Sequence, residues 1–333
     1  MSTPSTTPAP PAIPTLDKIR EAHTIIADQV LYTPVFQWDT PEKTALLGAD
    51  TEVWIKLELL QHGGSFKARG ALLNLMALDE DTRARGVTAV SAGNHAIAVA
   101  WAAARLGISA KVVMPATANP FRVKRCQAWG AEVVLAANVR AAFEETTRIQ
   151  AAEGRTFIHP FEGAITALGT AGVGLELAAQ VPDLDALILP IGGGGLAAGM
   201  ASAFHHLQPA CVCLGIEPEG ANSMQRSFRT GQPEAIEAVH TIADSLGAPF
   251  AMPYSFGLCY QLLREVRALH DDQLREAMRL MITEMKLAPE PACAASLAGL
   301  LGPYKAELTG KRVGLIACGA NLDADTLVRL LNA

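Results

Sequence analysis

From Glu52 onward the sequence switches repeatedly between two hydrophobic periods, and that alternation limits the available folds more than anything else in the chain. Val53, Ile55, Leu57 and Leu59 alternate as in a strand, and Leu72, Leu73, Leu75 and Met76 follow at helical spacing. The pattern continues with a strand at Val87 to Val90, a helix from His95 to Leu106 closed by Gly107, and a strand at Lys111 to Met114. Asn119-Pro120 caps a helix that runs to about Gly130, and Glu132 to Leu135, Val139 to Glu153 and Thr156 to Ile158 read as strand, helix and strand. The second half repeats the alternation. It has a helix at Val173 to Gln180, a strand at Ala186 to Leu189, a helix at Leu196 to Leu207 and a strand at Cys211 to Ile216. Helices at Gln273 to Met285 and Ala292 to Leu300 follow, then a strand at Arg312 to Cys318 and a helix from Asp323. Alternation of this length implies parallel sheets covered by helices on both faces, an α/β fold.

Upstream, Thr15 opens an amphipathic helix with Leu16, Ile19, Ile25 and Ile26 on its apolar side, and Thr33-Pro34 closes that region. A chain of 333 residues fits two domains better than one core. The Pro-Phe-Glu-Gly stretch after His159 is the expected hinge. It separates a smaller domain, 86–160, from a larger one made of 15–85 and 161–333. Residues 1–14, rich in Ser, Thr, Pro and Ala, read as a disordered tail.

Half of the residues are hydrophobic and 18% are charged, so a large core can form. The net charge is −6 without a basic block, which argues against nucleic acid or an anionic membrane as partner and favours a small molecule. The tail lacks the features of a secretory or transit signal, and no apolar run is long enough to span a bilayer, so a cytoplasmic protein is expected. The cysteines Cys126, Cys211, Cys213, Cys259, Cys293 and Cys318 form no C-x-x-C pair, which argues against a zinc site or disulfide scaffold.

Chemistry concentrates at the strand-to-helix turns. Gly63-Gly64-Ser65-Phe66-Lys67 places a lysine at one. Gly192 to Gly195 follow a strand and open a helix, where converging backbone N–H groups and the helix dipole suit a phosphate. Ser91-Ala92-Gly93-Asn94-His95 offers amides and polar side chains to an anion, although serine and asparagine are equally good helix caps. Cys318-Gly319-Ala320-Asn321 ends the last strand. Ligands of open α/β sheets bind outside the carboxyl ends of the strands, where such loops gather. A lysine, a phosphate cradle and a polar group for a ring nitrogen are what pyridoxal phosphate requires.

With GGSFKARGA, SAGNHA, GGGGL, GIEPEGANS, TIADSL, PEPA and ACGAN in this order, the chain resembles the fold-type-II pyridoxal-phosphate enzymes from about Leu16 to its end, specifically the serine/threonine dehydratase and serine racemase group. The resemblance implies two doubly wound open-sheet domains of the tryptophan-synthase-β type with the cofactor cleft between them. It implies that Lys67 is the covalent attachment point and the base for the α-proton, that Phe66 stacks on the cofactor ring, and that Asn94 bonds the ring's 3-oxygen. Gly192, Gly193, Gly194, Gly195 and Leu196 would hold the phosphate, and Cys318 would face the pyridine nitrogen. Glu290 would approach the ring from the large domain, and Ser91, Gly93, Asn94 and His95 would receive the substrate carboxylate. A homodimer is implied as well.

The implied reaction is dehydration and deamination of a β-hydroxy amino acid, such as L-threonine or L-serine, to a 2-oxo acid and ammonia. A racemase of the same group is the alternative, but the second acid–base serine of such racemases falls at Ala92 here. A divalent cation is held in some relatives by a glutamate, a carbonyl and an aspartate. Glu217 and Ala221 match these, whereas Ser223 departs from the aspartate. Gly63, Ser245 and Cys293 also depart from common residues of the group. The chain ends soon after Asn321, so feedback through a C-terminal regulatory domain is not expected. A nicotinamide oxidoreductase is the rival from another class: Glu217 closes the next strand about 20 residues beyond the glycine run, where a ribose-binding acid would stand. That reading leaves Lys67, Asn94 and Cys318 without a role.

Overall fold

A computed structural model describes residues 10–333 of the chain. Its ten strands are β1 (Val35–Gln37), β2 (Glu52–Lys56), β3 (Val87–Val90), β4 (Ala110–Pro115), β5 (Glu132–Ala136), β6 (Thr156–Phe157), β7 (Ala186–Pro190), β8 (Val212–Pro218), β9 (Val266–Leu269) and β10 (Arg312–Ile316). They form a six-stranded sheet in the order β1-β2-β10-β7-β8-β9 and a four-stranded sheet in the order β5-β4-β3-β6. Only β1 runs antiparallel to its neighbour, so helical crossovers cover both faces. That burial is visible in the sequence: β3 and β7 are buried at every residue, and β7 reads as an unbroken apolar run while β3 is interrupted only by Thr88.

Several boundaries differ from the sequence expectation for identifiable reasons. The strand read as Glu52 to Leu59 stops at Lys56 and gives way to 3₁₀ turns at Glu58–Leu60 and His62–Gly64. The helix read as Val173 to Gln180 spans Ala164–Gln180. Gly169 disguises its first half, yet it is there for packing: a Cβ on it would lie 2.7 Å from Gly70 Cα, as one on Gly174, farther along, would lie 2.8 Å from Met200 O. Three short helices, Pro41–Leu47, Glu80–Arg85 and Pro253–Leu262, and the strands β1 and β9 carry too few periodic positions to stand out. Ile25, read as apolar-side, is 46% exposed, and Leu16–Ile26 buries Ile19, Ala22 and Ile26. Most of the tail read as disordered lies outside the described residues. Its last residues are held, with Gln261 donating to Pro11 O at 3.0 Å and His206 Nε2 2.8 Å from Pro14 O.

A buried ionic cluster fixes the helix Lys67–Met76 to the large sheet. Arg69 Nε and Nη2 donate to Glu58 at 2.8 and 2.7 Å, and Nη1 donates to Glu176 at 2.6 Å. Lys56 Nζ donates to Glu176 at 2.6 Å, to Gln180 at 2.8 Å and to Thr33 O at 2.7 Å. Two cations and two carboxylates, all essentially without exposure, neutralise one another, which is the condition under which such charges can be buried. Among the described residues no helix is long and apolar enough to cross a membrane.

Candidate active site

The loop after β10 is stitched to the loop before the Lys67–Met76 helix. Phe66 N donates to Cys318 O at 3.2 Å, Ala320 N donates to Gly64 O at 2.9 Å, and Ser65 bridges Gly319. Gly64 permits this closeness: its φ is +73°, and a Cβ there would lie 2.8 Å from Asn321 Oδ1. The lysine and the thiol are therefore placed on one frame by parallel pairing of β10 with β2.

Lys67, Phe66, Asn94, Gly192, Gly193, Gly194, Gly195, Leu196, Glu290 and Cys318 line one cavity, joined by Phe161, Ser245 and Leu246. The four turns singled out from sequence thus meet. Lys67 is half-buried, its Nζ donating to Pro160 O at 2.6 Å and lying 5.0 Å from the Phe66 ring centroid. Burial pulls its pKa down to about 8, against the opposing influence of Cys318 and Glu290. Burial also raises the Cys318 thiol well above its ordinary value, so it is a neutral, weakly polar group.

Asn94 bonds to protein on both sides. Its Nδ2 donates to Glu290 Oε1 at 2.5 Å and its Oδ1 accepts from Asn321 Nδ2 at 2.7 Å. The second Glu290 oxygen, Oε2, is buried without a hydrogen-bond partner among the described residues, with Arg122 Nη2 at 3.6 Å as its nearest cation. Burial raises the Glu290 pKa, which Arg122 partly counters. A buried, unsatisfied carboxylate oxygen is costly unless something polar comes to meet it. The glycine run turns at Gly194, φ +91°, so that Gly195–Leu207 presents its unpaired first-turn N–H groups to the same space. An amine, free amides at a helix N-terminus, an unsatisfied oxygen and a thiol are a donor set that fits pyridoxal phosphate.

The anion loop is only partly as read from sequence. Ser91 Oγ accepts from Gly93 N at 3.1 Å, and the His95 ring is turned inward with Nε2 2.8 Å from Ile158 O. Burial, and then the charge of Lys67, take His95 down to about 3. His95 therefore stays neutral, and what it can offer a carboxylate is its main-chain N–H. The Ser91 hydroxyl and the first-turn N–H groups of the helix Asn94–Leu106 are the groups of this loop that could meet an anion.

Of the residues weighed for a divalent cation, Glu217 and Ser223 are engaged with protein groups. Glu217 accepts from Gln225 N at 2.6 Å and from Met224 N at 3.3 Å, so its carboxylate caps the helix Ser223–Thr230. Ser223 Oγ donates to Ala248 O at 3.2 Å, and Ala221 is buried in a 3₁₀ turn. No group of three His, Cys, Asp or Glu among the described residues could hold a metal ion.

Sequence reasoning missed Pro160, Phe161 and Arg122 as site residues and read Ser245 only as a departure from the group. Pro160 and Phe161 lie in what reads as a hinge, yet one anchors the lysine and the other lines the cavity. Ser245 lies 3.3 Å from Asn94 Nδ2. Arg122 spans the cleft, bonding Asn321 O at 2.8 Å and Asp244 through both terminal nitrogens. The proline and phenylalanine had a signal, an aromatic between a proline and an acid directly after β6; Arg122 had none, since it is one of several basic residues on its helix.

Residues 26–319 match the family described as "Pyridoxal-phosphate dependent enzyme". The chain is 52% identical over 319 residues to a phenylserine dehydratase from Ralstonia pickettii, covering 96% of this chain and 97% of that one. It is 35% identical over 282 residues to an L-threonine ammonia-lyase from Thermotoga maritima, covering 84% and 70% of the two chains. Among solved structures, maize serine racemase superposes with a TM-score of 0.90 at 33% identity, covering 96% of this chain and 98% of the other. The two-sheet α/β fold is that of the fold-type-II enzymes.

Proposed function

This chain belongs to the pyridoxal-phosphate-dependent enzyme family, and on that premise we propose that it dehydrates and deaminates a β-hydroxy amino acid bearing an aryl group on Cβ, a phenylserine-type substrate, to a 2-oxo acid and ammonia. The observation that carries the reaction is the Lys67 amine, held at the cavity with a pKa near 8, where a neutral amine is available near working pH. Support for the aryl substituent is the 52% identity to a phenylserine dehydratase. Threonine and serine meet the same chemical requirement and rank behind it.

Pyridoxal phosphate, when bound, withdraws the electron pair left at Cα when its proton departs. The chain's own residues do the rest. First-turn N–H groups of Gly195–Leu207 hold the phosphate, and the Ser91 hydroxyl with the N–H groups at Asn94 and His95 orient the substrate carboxylate. Lys67 Nζ takes the α-proton, the Cβ–O bond breaks as a proton is delivered to its oxygen, in balance the one Lys67 took up, and water leaves. Hydrolysis of the released enamine consumes one water and gives the 2-oxo acid and ammonium. Cys318, neutral and weakly polar, does not hold a ring nitrogen protonated, which favours prompt elimination. Ala92 leaves no proton donor at its position, so elimination is preferred to racemisation. A homodimer is proposed on the family likeness alone.

The test is a purified protein with pyridoxal phosphate, its visible absorption band, and 2-oxo acid release from phenylserine, threonine and serine, with Lys67→Ala as control. Absence of the band, or equal activity in the control, overturns the proposal.

A further inference from the structure

Beyond β6 the chain reads His159-Pro160-Phe161-Glu162, and each of these residues is immobilised by a different contact. His159 Nδ1 accepts from Phe161 N at 3.3 Å and from Glu162 N at 2.9 Å. Pro160 O holds the Lys67 amine. Glu162 accepts from Tyr254 N at 2.6 Å and from Ser255 N and Oγ at 3.0 and 2.7 Å. Phe161 is thus fixed at both neighbours, and its ring lines the same cavity as Lys67, alongside Pro190, Leu246 and Ala292.

The ring is packed tightly. A Cβ on Gly193 would lie 2.1 Å from it, so it lies flush against the glycine loop. His159 meets it edge-on at 4.7 Å and 89°, and Phe250 lies 6.4 Å away at 54°. Only one peptide separates it from the carbonyl that holds the reacting amine, which brings it within side-chain reach of whatever group hangs from the substrate's Cβ. Such a ring presents an apolar surface without losing rotamer freedom on binding, and aromatic partners favour offset or edge-on contact with it.

We propose that Phe161 is the residue that selects an aryl group at the substrate's Cβ, with Phe250 and His159 holding its ring in place. This rests on the reaction proposed above and adds the residue that sets its substrate. The methyl of threonine and the unbranched Cβ of serine are too short to gain from the contact.

The experiment uses holoenzyme of wild type, Phe161→Ala and Phe161→Leu. It measures kcat/KM for phenylserine and for threonine, the Kd of L-phenylalanine and of L-alanine, which lack the β-hydroxyl and do not react, and the Kd of pyridoxal phosphate. The ratio of kcat/KM for phenylserine to threonine is expected to fall about tenfold or more in Phe161→Ala, mainly through KM, with an intermediate fall in Phe161→Leu. The phenylalanine-to-alanine binding ratio should fall in step. Equal losses on both substrates, or weakened pyridoxal phosphate binding with an unchanged substrate ratio, would make the ring a support for the glycine loop and overturn the proposal. A wild type that dehydrates threonine but not phenylserine overturns it too. If neither substrate reacts, the reaction assignment fails by itself, while the phenylalanine-to-alanine ratio still decides whether Phe161 reads an aryl group. Should Phe161→Ala not fold, Phe161→Leu gives the same two ratios.

Discussion

Replacing Glu217 by glutamine should make the protein more stable at high pH and slightly less stable at low pH. Glu217 lies near the end of β8 without exposure, and burial lifts its pKa from the ordinary 4.5 to about 8, with the Gln225 and Met224 N–H groups pulling the other way. The folded pKa lies above that of the unfolded chain, so the unfolded chain loses the proton first. The stability this carboxyl contributes is complete below about pH 4.5 and is lost as pH rises through about 8. At about 1.4 kcal/mol per tenfold change in proton affinity, the span is on the order of 4–5 kcal/mol, an upper bound that relaxation and water penetration cut to about 2–4 kcal/mol. Glutamine keeps the Gln225 bond and does not titrate, but it loses the weaker Met224 bond at a cost of about 1 kcal/mol. Urea unfolding of holoenzyme at pH 5 and pH 9, with EDTA and with added Mg²⁺, reads the difference. Glu217→Gln should gain about 2–4 kcal/mol on wild type between those two pH values. A difference that is flat with pH would refute the reasoning. So would EDTA lowering wild-type but not variant stability at pH 9, since the carboxylate would then be a cation ligand.

Three further outcomes are expected. The rate at which apoprotein takes up pyridoxal phosphate, followed by the visible band, should rise with pH through about 8, because only the neutral Lys67 amine reacts; a flat rate from pH 6.5 to 9 would contradict the lowered pKa. Gly193→Ala forces a methyl against the Phe161 ring, so thermal stability should drop by about 1–3 kcal/mol together with cofactor affinity; unchanged affinity would mean the loop does not hold the phosphate. Arg69→Met leaves Glu58 and Glu176 short of a partner and should cost about 3–5 kcal/mol in urea unfolding; a neutral effect would mean that the cluster reorganises around Lys56.

The sequence made the site more legible than its boundaries. Lys67, Asn94, the four glycines and Cys318 sit at strand-to-helix turns, and parallel sheets bring such turns to one edge, so locating the strands was enough to bring these residues together. What stayed hidden was hidden by particular chemistry. Gly169 looks like a helix breaker, but it is where the backbone of Gly70 comes close. His95 looks like a free ligand until Ile158 O is found beside it. Arg122 and Asp244 are far apart in sequence, and neither has a local signal for the other. Phe161 was passed over because a proline-containing joint between sheets was given no chemical role.

The stitching of Cys318 and Ala320 to Phe66 and Gly64 makes the two sides of the cleft unequal. The amine and the thiol sit on two loops joined by main-chain bonds, and those loops extend from the paired strands β2 and β10, so their separation is held by backbone alone. Across the gap, the joins from Asn94 to Glu290 and from Arg122 to Asp244 are side-chain bonds, each exchangeable for water at about 0.5–3 kcal/mol net. Opening that side therefore costs the exchange of those bonds for hydration, while the spacing between the amine and the thiol is kept by the main chain.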